Sequence, residues 1–313
     1  MNKQIQKVYN DIKTIKVQGA TNIAMAVLKT LREYGRRLDI KKNSDFIKEI
    51  KVTGQYLVSA RETEPMAGNV LDFVLFYLTK NKDVTPVELK QTLIDSIDYF
   101  QVMLDQNNKK ISKYGEKLIK FGDKIFTHCH ASTVISIFKL AKINKKHFEV
   151  FQTETRPLYQ GHRTALELNK LKIKNTLIID SAASFLISNL SGKKFQVDKV
   201  IIGCDSIALD GSCVNKIGSF GIAETAYLSR IPLYVATQAL KIDEDAKNLK
   251  AIRIEQREAS EVWDKAPKGL KIYNPAFDVV PAKYITGYVT EFGVIRPEDL
   301  IKNIKKIYTW LIK

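Results

Sequence analysis

Residues 124–153 read KIFTHCHASTVISIFKLAKINKKHFEVFQT. Two apolar runs of strand length, Lys124–His130 and Phe148–Thr153, enclose Ser132–Ile143, a helix-like segment. Strand, helix and strand in so short a span make a βαβ unit, whose two strands must run parallel. The same texture continues downstream. Strand-like runs recur at Thr176–Ala182, Lys199–Asp205, Pro232–Thr237 and Ile285–Glu291, with helix-like segments Thr164–Leu171 and Ile217–Ser229 between them. A last helix follows Arg296-Pro297, apolar at Leu300, Ile301, Ile304 and Leu311. Alternation of this kind predicts a parallel sheet covered on both faces.

Upstream the pattern differs. Residues 1–115 read as helical, with Ile23, Val27, Leu28 and Leu31 on one stripe of Thr21–Tyr34. Thr85-Pro86-Val87-Glu88 has the form of a capping box with proline at the first helical position. The expected fold class is therefore α/β, with a helical N-terminal domain over 1–118 and a Rossmann-like domain over 119–313.

Composition limits the function classes. The chain has 313 residues, and its 50 Lys+Arg against 34 Asp+Glu leave a net charge of +16. Lysine outnumbers arginine about fourfold and is spread along the chain. Bidentate phosphate and base recognition favours arginine, so this charge argues against a nucleic-acid partner. No apolar run approaches the roughly 18–20 residues of a membrane span. The polar N-terminus lacks a signal-peptide core, which predicts a cytoplasmic location. The three cysteines, Cys129, Cys204 and Cys213, lack the spacing of a disulfide framework or a cysteine-rich zinc site. Neither GxGxxG nor a Walker A sequence occurs.

In an open parallel sheet, ligands bind beyond the carboxyl ends of the strands. The chemically unusual residues fall there: His128-Cys129-His130, Thr153 to Gly161, Asp180-Ser181, Cys204-Asp205 and Thr237-Gln238. If the first strand runs through residue 130, alternation puts His128 and His130 on one face and Cys129 on the other. A histidine pair could then hold a metal or simply pack. Cys129 is either a small buried hydrophobe or a thiolate favoured by the dipole of the following helix. Asp205 is either a turn residue or an acid. Arg156 serves an anion or a local salt bridge. Asn215-Lys216 is expected to open the helix over Ile217–Ser229, a plausible phosphate site. One thiol and one carboxylate facing an anionic substrate suit cofactor-free proton transfer.

Thr127-His128-Cys129-His130, Thr153-Glu154-Thr155-Arg156-Pro157 with Gln160-Gly161, Asp180-Ser181-Ala182, Gly203-Cys204-Asp205-Ser206, Asn215-Lys216-Ile217-Gly218 and Asn274-Pro275-Ala276-Phe277-Asp278 occur in that order. As a set they resemble the superfamily shared by archaeal ribose-1,5-bisphosphate isomerase, methylthioribose-1-phosphate isomerase and the regulatory subunits of translation initiation factor 2B. The first branch is the closest likeness. The resemblance implies an aldose–ketose isomerase of nucleotide salvage with Cys129 and Asp205 as its catalytic pair. It implies substrate contacts at Gly19 and Ala20, at Ala131, Ser132 and Thr133, and at Arg156, Asn215, Lys216 and Lys241. It implies a phosphorylated sugar substrate, no metal or organic cofactor, and a homo-oligomer, dimer or hexamer. The alternative it carries is a regulatory subunit that binds translation initiation factor 2.

The chain departs from the family pattern at the anion cradle. Gln18 stands where the family usually has arginine, Glu64-Pro65 where it has Arg-Pro, and Ser132 where it has lysine. Each charge-assisted phosphate contact is worth about 1.5–3 kcal/mol, so these changes predict weaker binding of a bisphosphate.

Overall fold

The computed structural model describes residues 2–188 and 190–312. It contains two compact units: Met1–Gln106 with Leu240–Ile242 and Ile304–Lys313, and Asn107–Ala239 with Asp243–Asn303.

The first unit is helical. Its helices are α1 (Lys3–Lys13), α2 (Ala20–Arg37), α3 (Asn43–Val58), α4 (Pro65–Lys80) and the leading part of α5 (Pro86–Lys117). The stripe Ile23, Val27, Leu28 and Leu31 is fully buried, as helical periodicity requires. The capping box forms at the start of α5. Glu88 Oε2 accepts from the Thr85 N–H at 2.8 Å, and Thr85 Oγ1 accepts from the Glu88 N–H at 3.4 Å. Asn69 explains why a distant segment joins this unit: its Nδ2 donates to the carbonyls of Leu240 and Ile242 at 2.8 and 2.7 Å. The division between the units falls inside α5, whereas the change in sequence texture falls just past its end. One unbroken helix carries no compositional mark where its packing partners change.

The second unit follows the βα alternation. Its elements in order are β1 (Lys124–Thr127), α6 (Ser132–Ile143), β2 (Glu149–Thr153), α7 (Gln160–Lys170), β3 (Lys174–Ile178) and α8 (Ala183–Ile187). Then come β4 (Lys199–Ile202), β5 (Ser206–Ile207), β6 (Cys213–Lys216), α9 (Ser219–Leu228) and β7 (Leu233–Ala236). The unit closes with α10 (Ala259–Val262), β8 (Phe277–Val280), β9 (Gly287–Thr290), β10 (Gly293–Ile295) and α11 (Pro297–Ile307), whose last turn packs in the first unit.

Among the described residues, seven strands form one sheet in the order β10-β9-β7-β4-β1-β2-β3. All neighbours pair in parallel except β9 and β10. Its central strand β4, Lys199-Val200-Ile201-Ile202, is buried at every position. Ile137 and Phe138 of α6 pack in one core cluster with Ile125 of β1 and Val150 of β2. Strand order runs 1-2-3 to one side of β1 and 4-7-9 to the other, so the direction of winding reverses between β1 and β4. That reversal opens a crevice at the carboxyl ends of these two strands. A second sheet, β5-β6-β8, is antiparallel and went unread in the sequence.

Three expectations need correction. Asn215-Lys216 do not open a helix: they end β6, and α9 begins at Ser219 behind Gly218, whose φ of +106° makes the turn. β1 stops at Thr127, so strand alternation does not govern residues 128–130. β4 stops at Ile202, which leaves Cys204 and Asp205 on the loop beyond it.

Candidate active site

Two loops flank the crevice. Cys129 lies two residues beyond β1, and Asp205 three beyond β4. Gly203 brings the loops together. A β-carbon there would stand 2.5 Å from that of Ala131, so the loops approach to a separation only glycine permits.

Cys129 has φ +64°, a left-handed conformation that costs a non-glycine residue on the order of 1–2 kcal/mol. Neighbouring side chains compensate by holding both of its peptide groups. Its N–H donates to Thr155 Oγ1 at 3.1 Å, and its carbonyl accepts from Thr164 Oγ1 at 2.8 Å. Cys129 as a residue is half-buried. Burial, opposed by Lys216 and reinforced by Asp205 and Asp180, pushes the thiol up to about 11. Desolvation of the thiolate outweighs the positive end of α6.

His128 and His130 do not share a task. His128 is buried, with Nε2 2.8 Å from the Ile217 carbonyl and Nδ1 2.6 Å from Thr153 Oγ1. The carbonyl can only accept, so Nε2 carries the proton and Nδ1 accepts from the threonine hydroxyl. Burial lowers its pKa and keeps it neutral. His130 turns to α7, with Nδ1 3.1 Å from Thr164 Oγ1 and Nε2 3.7 Å from Glu167.

The second strand's exit loop is fastened from β3. Asp180 accepts from the N–H groups of Thr155 and Arg156 at 2.8 and 2.6 Å. The Arg156 guanidinium donates to Tyr159 OH and the Val262 carbonyl, both at 2.8 Å. Its hydrogen bonds thus go to neutral oxygens, which leaves its charge available to an anion. Asn215 is buried on β6, its Nδ2 donating to Ser219 Oγ at 2.9 Å. Lys216 is half-buried, its Nζ 4.5 Å above the Phe277 ring.

The remaining expected contacts divide. Ala131 is the extended residue ahead of α6, and Ser132, its first residue, is exposed. Thr133 is spent on structure, its hydroxyl donating to the Ala236 carbonyl at 2.7 Å. Gly19 and Ala20 begin α2, and Lys241 lies in the segment fastened by Asn69; all three belong to the first unit. Glu64 is 2% exposed, with Arg61 3.4 Å away.

Two residues received no role from the sequence. Thr155 touches Cys129 directly. Asp278, paired with Asn215 across β6 and β8, accepts from the Gly218 N–H at 2.7 Å. Burial raises it to about 6, against the backbone N–H groups of Phe220 and Gly218, which lower it. The quoted motifs contain both residues, and that was the available signal.

Residues 16–297 match the initiation factor 2 subunit family. The chain is 37% identical over 311 residues to the ribose 1,5-bisphosphate isomerase of Methanocaldococcus jannaschii, covering 99% of this chain and 97% of that one. It is 33% identical over 317 residues to the 5-deoxyribose 1-phosphate isomerase of Petrotoga mobilis, covering 97% and 90%. Among solved structures, one described as translation initiation factor eIF-2B of Pyrococcus horikoshii OT3 superposes with a TM-score of 0.80 at 26% identity, covering 96% of this chain and 100% of that chain. The match spans both units and every loop described above, so the chain belongs to the initiation factor 2 subunit family.

Proposed function

We propose that this chain is a sugar-phosphate isomerase that interconverts an aldose and a ketose, with ribose 1,5-bisphosphate as the substrate and ribulose 1,5-bisphosphate as the product. The observation that carries the reading is the position of Cys129 and Asp205 on either side of the crevice between β1 and β4. The isomerase relatives support the reaction class.

In this reading Asp205 gives its proton to the ring oxygen as the bond from that oxygen to C1 breaks. Cys129, as thiolate, takes the proton from C2, and a C1–C2 double bond forms in an enediol phosphate. The proton on sulfur then returns to C1, while the C2 hydroxyl proton restores Asp205 and leaves the ketose. The pair needs one proton in total. Burial favours that proton on sulfur. Moving it to Asp205 changes no net charge, so the reactive form is reached without exchanging a proton with solvent. Arg156 and Lys216 supply positive charge to a phosphate.

The eIF-2B-like structure supports a second reading, a regulatory subunit that binds translation initiation factor 2. A homo-oligomer fits either one.

The test is turnover of ribose 1,5-bisphosphate and 5-deoxyribose 1-phosphate by the purified protein and by Cys129→Ser and Asp205→Asn. Loss of at least about a thousandfold in both variants is expected. No turnover of any sugar phosphate, or full turnover by the variants, would overturn the reading. Capture of initiation factor 2 by an inactive protein would favour the second one.

A further inference from the structure

The hydrogen bonds around Cys129 form one chain with a single consistent direction. Its end is the Ile217 carbonyl, which accepts from His128 Nε2 at 2.8 Å. His128 Nδ1 therefore accepts from the Thr153 hydroxyl at 2.6 Å. Thr153, having donated, accepts from the Thr155 hydroxyl at 3.1 Å. Thr155 Oγ1 in turn accepts the Cys129 N–H at 3.1 Å. The Thr155 hydroxyl has a second acceptor in the Thr153 carbonyl at 3.5 Å, and both threonines are 0% exposed. No water competes for these bonds. Thr155 is itself left-handed, at φ +64°, and is fixed there by Asp180.

We infer that Thr155 is a positioning residue for the isomerisation: its hydroxyl holds the Cys129 peptide left-handed and so aims the thiol at the substrate's C2. This rests on the reading of Cys129 as the base. The chain also ties the thiol's loop to the Lys216–Gly218 turn through Ile217. Removing the Thr155 oxygen takes away the acceptor of the Cys129 N–H, and the peptide relaxes out of its strained conformation. The thiol then loses its aim and gains access to water.

Those two consequences move different observables in opposite directions. The experiment compares Thr155→Val, which keeps shape and loses the hydroxyl, with Thr155→Ser, which keeps the hydroxyl. Turnover is measured alongside iodoacetamide alkylation of Cys129 in the substrate-free protein, followed by peptide mass. For Thr155→Val, kcat is expected to fall at least about tenfold with KM changed less than about threefold. Its alkylation at pH 8 is expected to rise at least about threefold as the thiol is solvated. Thr155→Ser should match the parent in both. Unchanged kcat in Thr155→Val, or equal impairment of Thr155→Ser, would overturn the inference, the latter by assigning the effect to packing of the methyl group. If Cys129→Ser turns over at full rate, the thiol reading itself falls. Alkylation then judges Thr155 alone: an unchanged rate in Thr155→Val overturns its hold on Cys129, and a faster rate supports it. Should Thr155→Val not fold, Thr155→Ala is held to the same criteria.

Discussion

Gly203 faces Ala131 across the crevice with room for one methyl group between them. A β-carbon on Gly203 would stand 2.5 Å from the Ala131 β-carbon, well inside van der Waals contact. Gly203 lies two residues before Asp205, and Ala131 two after Cys129. This pair of small residues therefore sets the spacing of the carboxylate loop and the thiol loop. Gly203→Ala should force the loops apart, costing about 1–3 kcal/mol of stability and at least about tenfold in turnover. Ala131→Gly in the same chain removes the opposing methyl and should recover most of both. Denaturant unfolding and kcat for the two single variants and the double variant form the cycle. Additive losses would show that the two residues do not act as a pair.

Cys129 should be a slow nucleophile at neutral pH despite its place ahead of a helix. Burial raises its pKa to about 11. Below that value the thiolate fraction grows tenfold per pH unit, so the alkylation rate should climb with unit slope from pH 7 to about pH 10. Lys216 is the cation that opposes burial. Lys216→Met should lower the rate at each pH by about threefold or more without changing the slope. A plateau near pH 7 would show an activated thiolate and contradict the desolvation argument.

Local signals were legible in the sequence, and tertiary ones were not. Helix α6 runs over Ser132–Ile143 as its periodicity predicts, because amphipathic spacing is a property of the segment itself. The buried strands β1, β2, β4 and β7 were visible as apolar runs for the same reason. β5 was not, being two residues long, and β6 pairs with β8 about sixty residues away. Reading Asn215-Lys216 as a helix start failed because the helix-like segment was begun at Ile217, whereas the turn is made by Gly218 and the helix begins at Ser219. The Cys129 conformation was out of reach entirely. Nothing in Thr-His-Cys-His calls for a positive φ; the hydroxyls of Thr155, beyond β2, and Thr164, on α7, impose it from other elements. For the same reason the sequence left the thiol's proton affinity open, since burial depends on what packs around it.

Asp278 should make the protein lose stability as the pH rises through the weakly acidic range. Burial raises its carboxyl to about 6, above its value in an unfolded chain. Below about pH 4 both states hold the proton and the group contributes nothing to the pH dependence. As pH rises from 4 to 6 the unfolded chain releases its proton first, so folding becomes less favourable. Above 6 the penalty is complete, on the order of 2–3 kcal/mol. Asp278→Asn keeps an acceptor for the Gly218 N–H and carries no charge. It should be more stable than the parent at pH 7.5 and indistinguishable from it near pH 4, in urea unfolding at the two values. An equal difference at both pH values would place the effect in packing.

Two glycines in helices should respond to alanine with opposite signs. Gly161, in the first turn of α7, lies against the Thr153 carbonyl, and a β-carbon there would overlap that oxygen. The obstacle is backbone of β2, which cannot rotate away. Gly161→Ala should therefore cost roughly 1–3 kcal/mol or more, the range of overpacked sites. It should also disturb the Thr153–Thr155 segment and lower turnover with it. Gly221 lies in α9 with open space where its β-carbon would be. Alanine there removes conformational freedom from the unfolded chain and meets nothing in the folded one. Gly221→Ala should stabilise by about 0.5–1 kcal/mol and leave kcat unchanged. Urea midpoints for the two variants decide both at once. A stable, active Gly161→Ala would mean that α7 stands farther from β2 than its first turn requires.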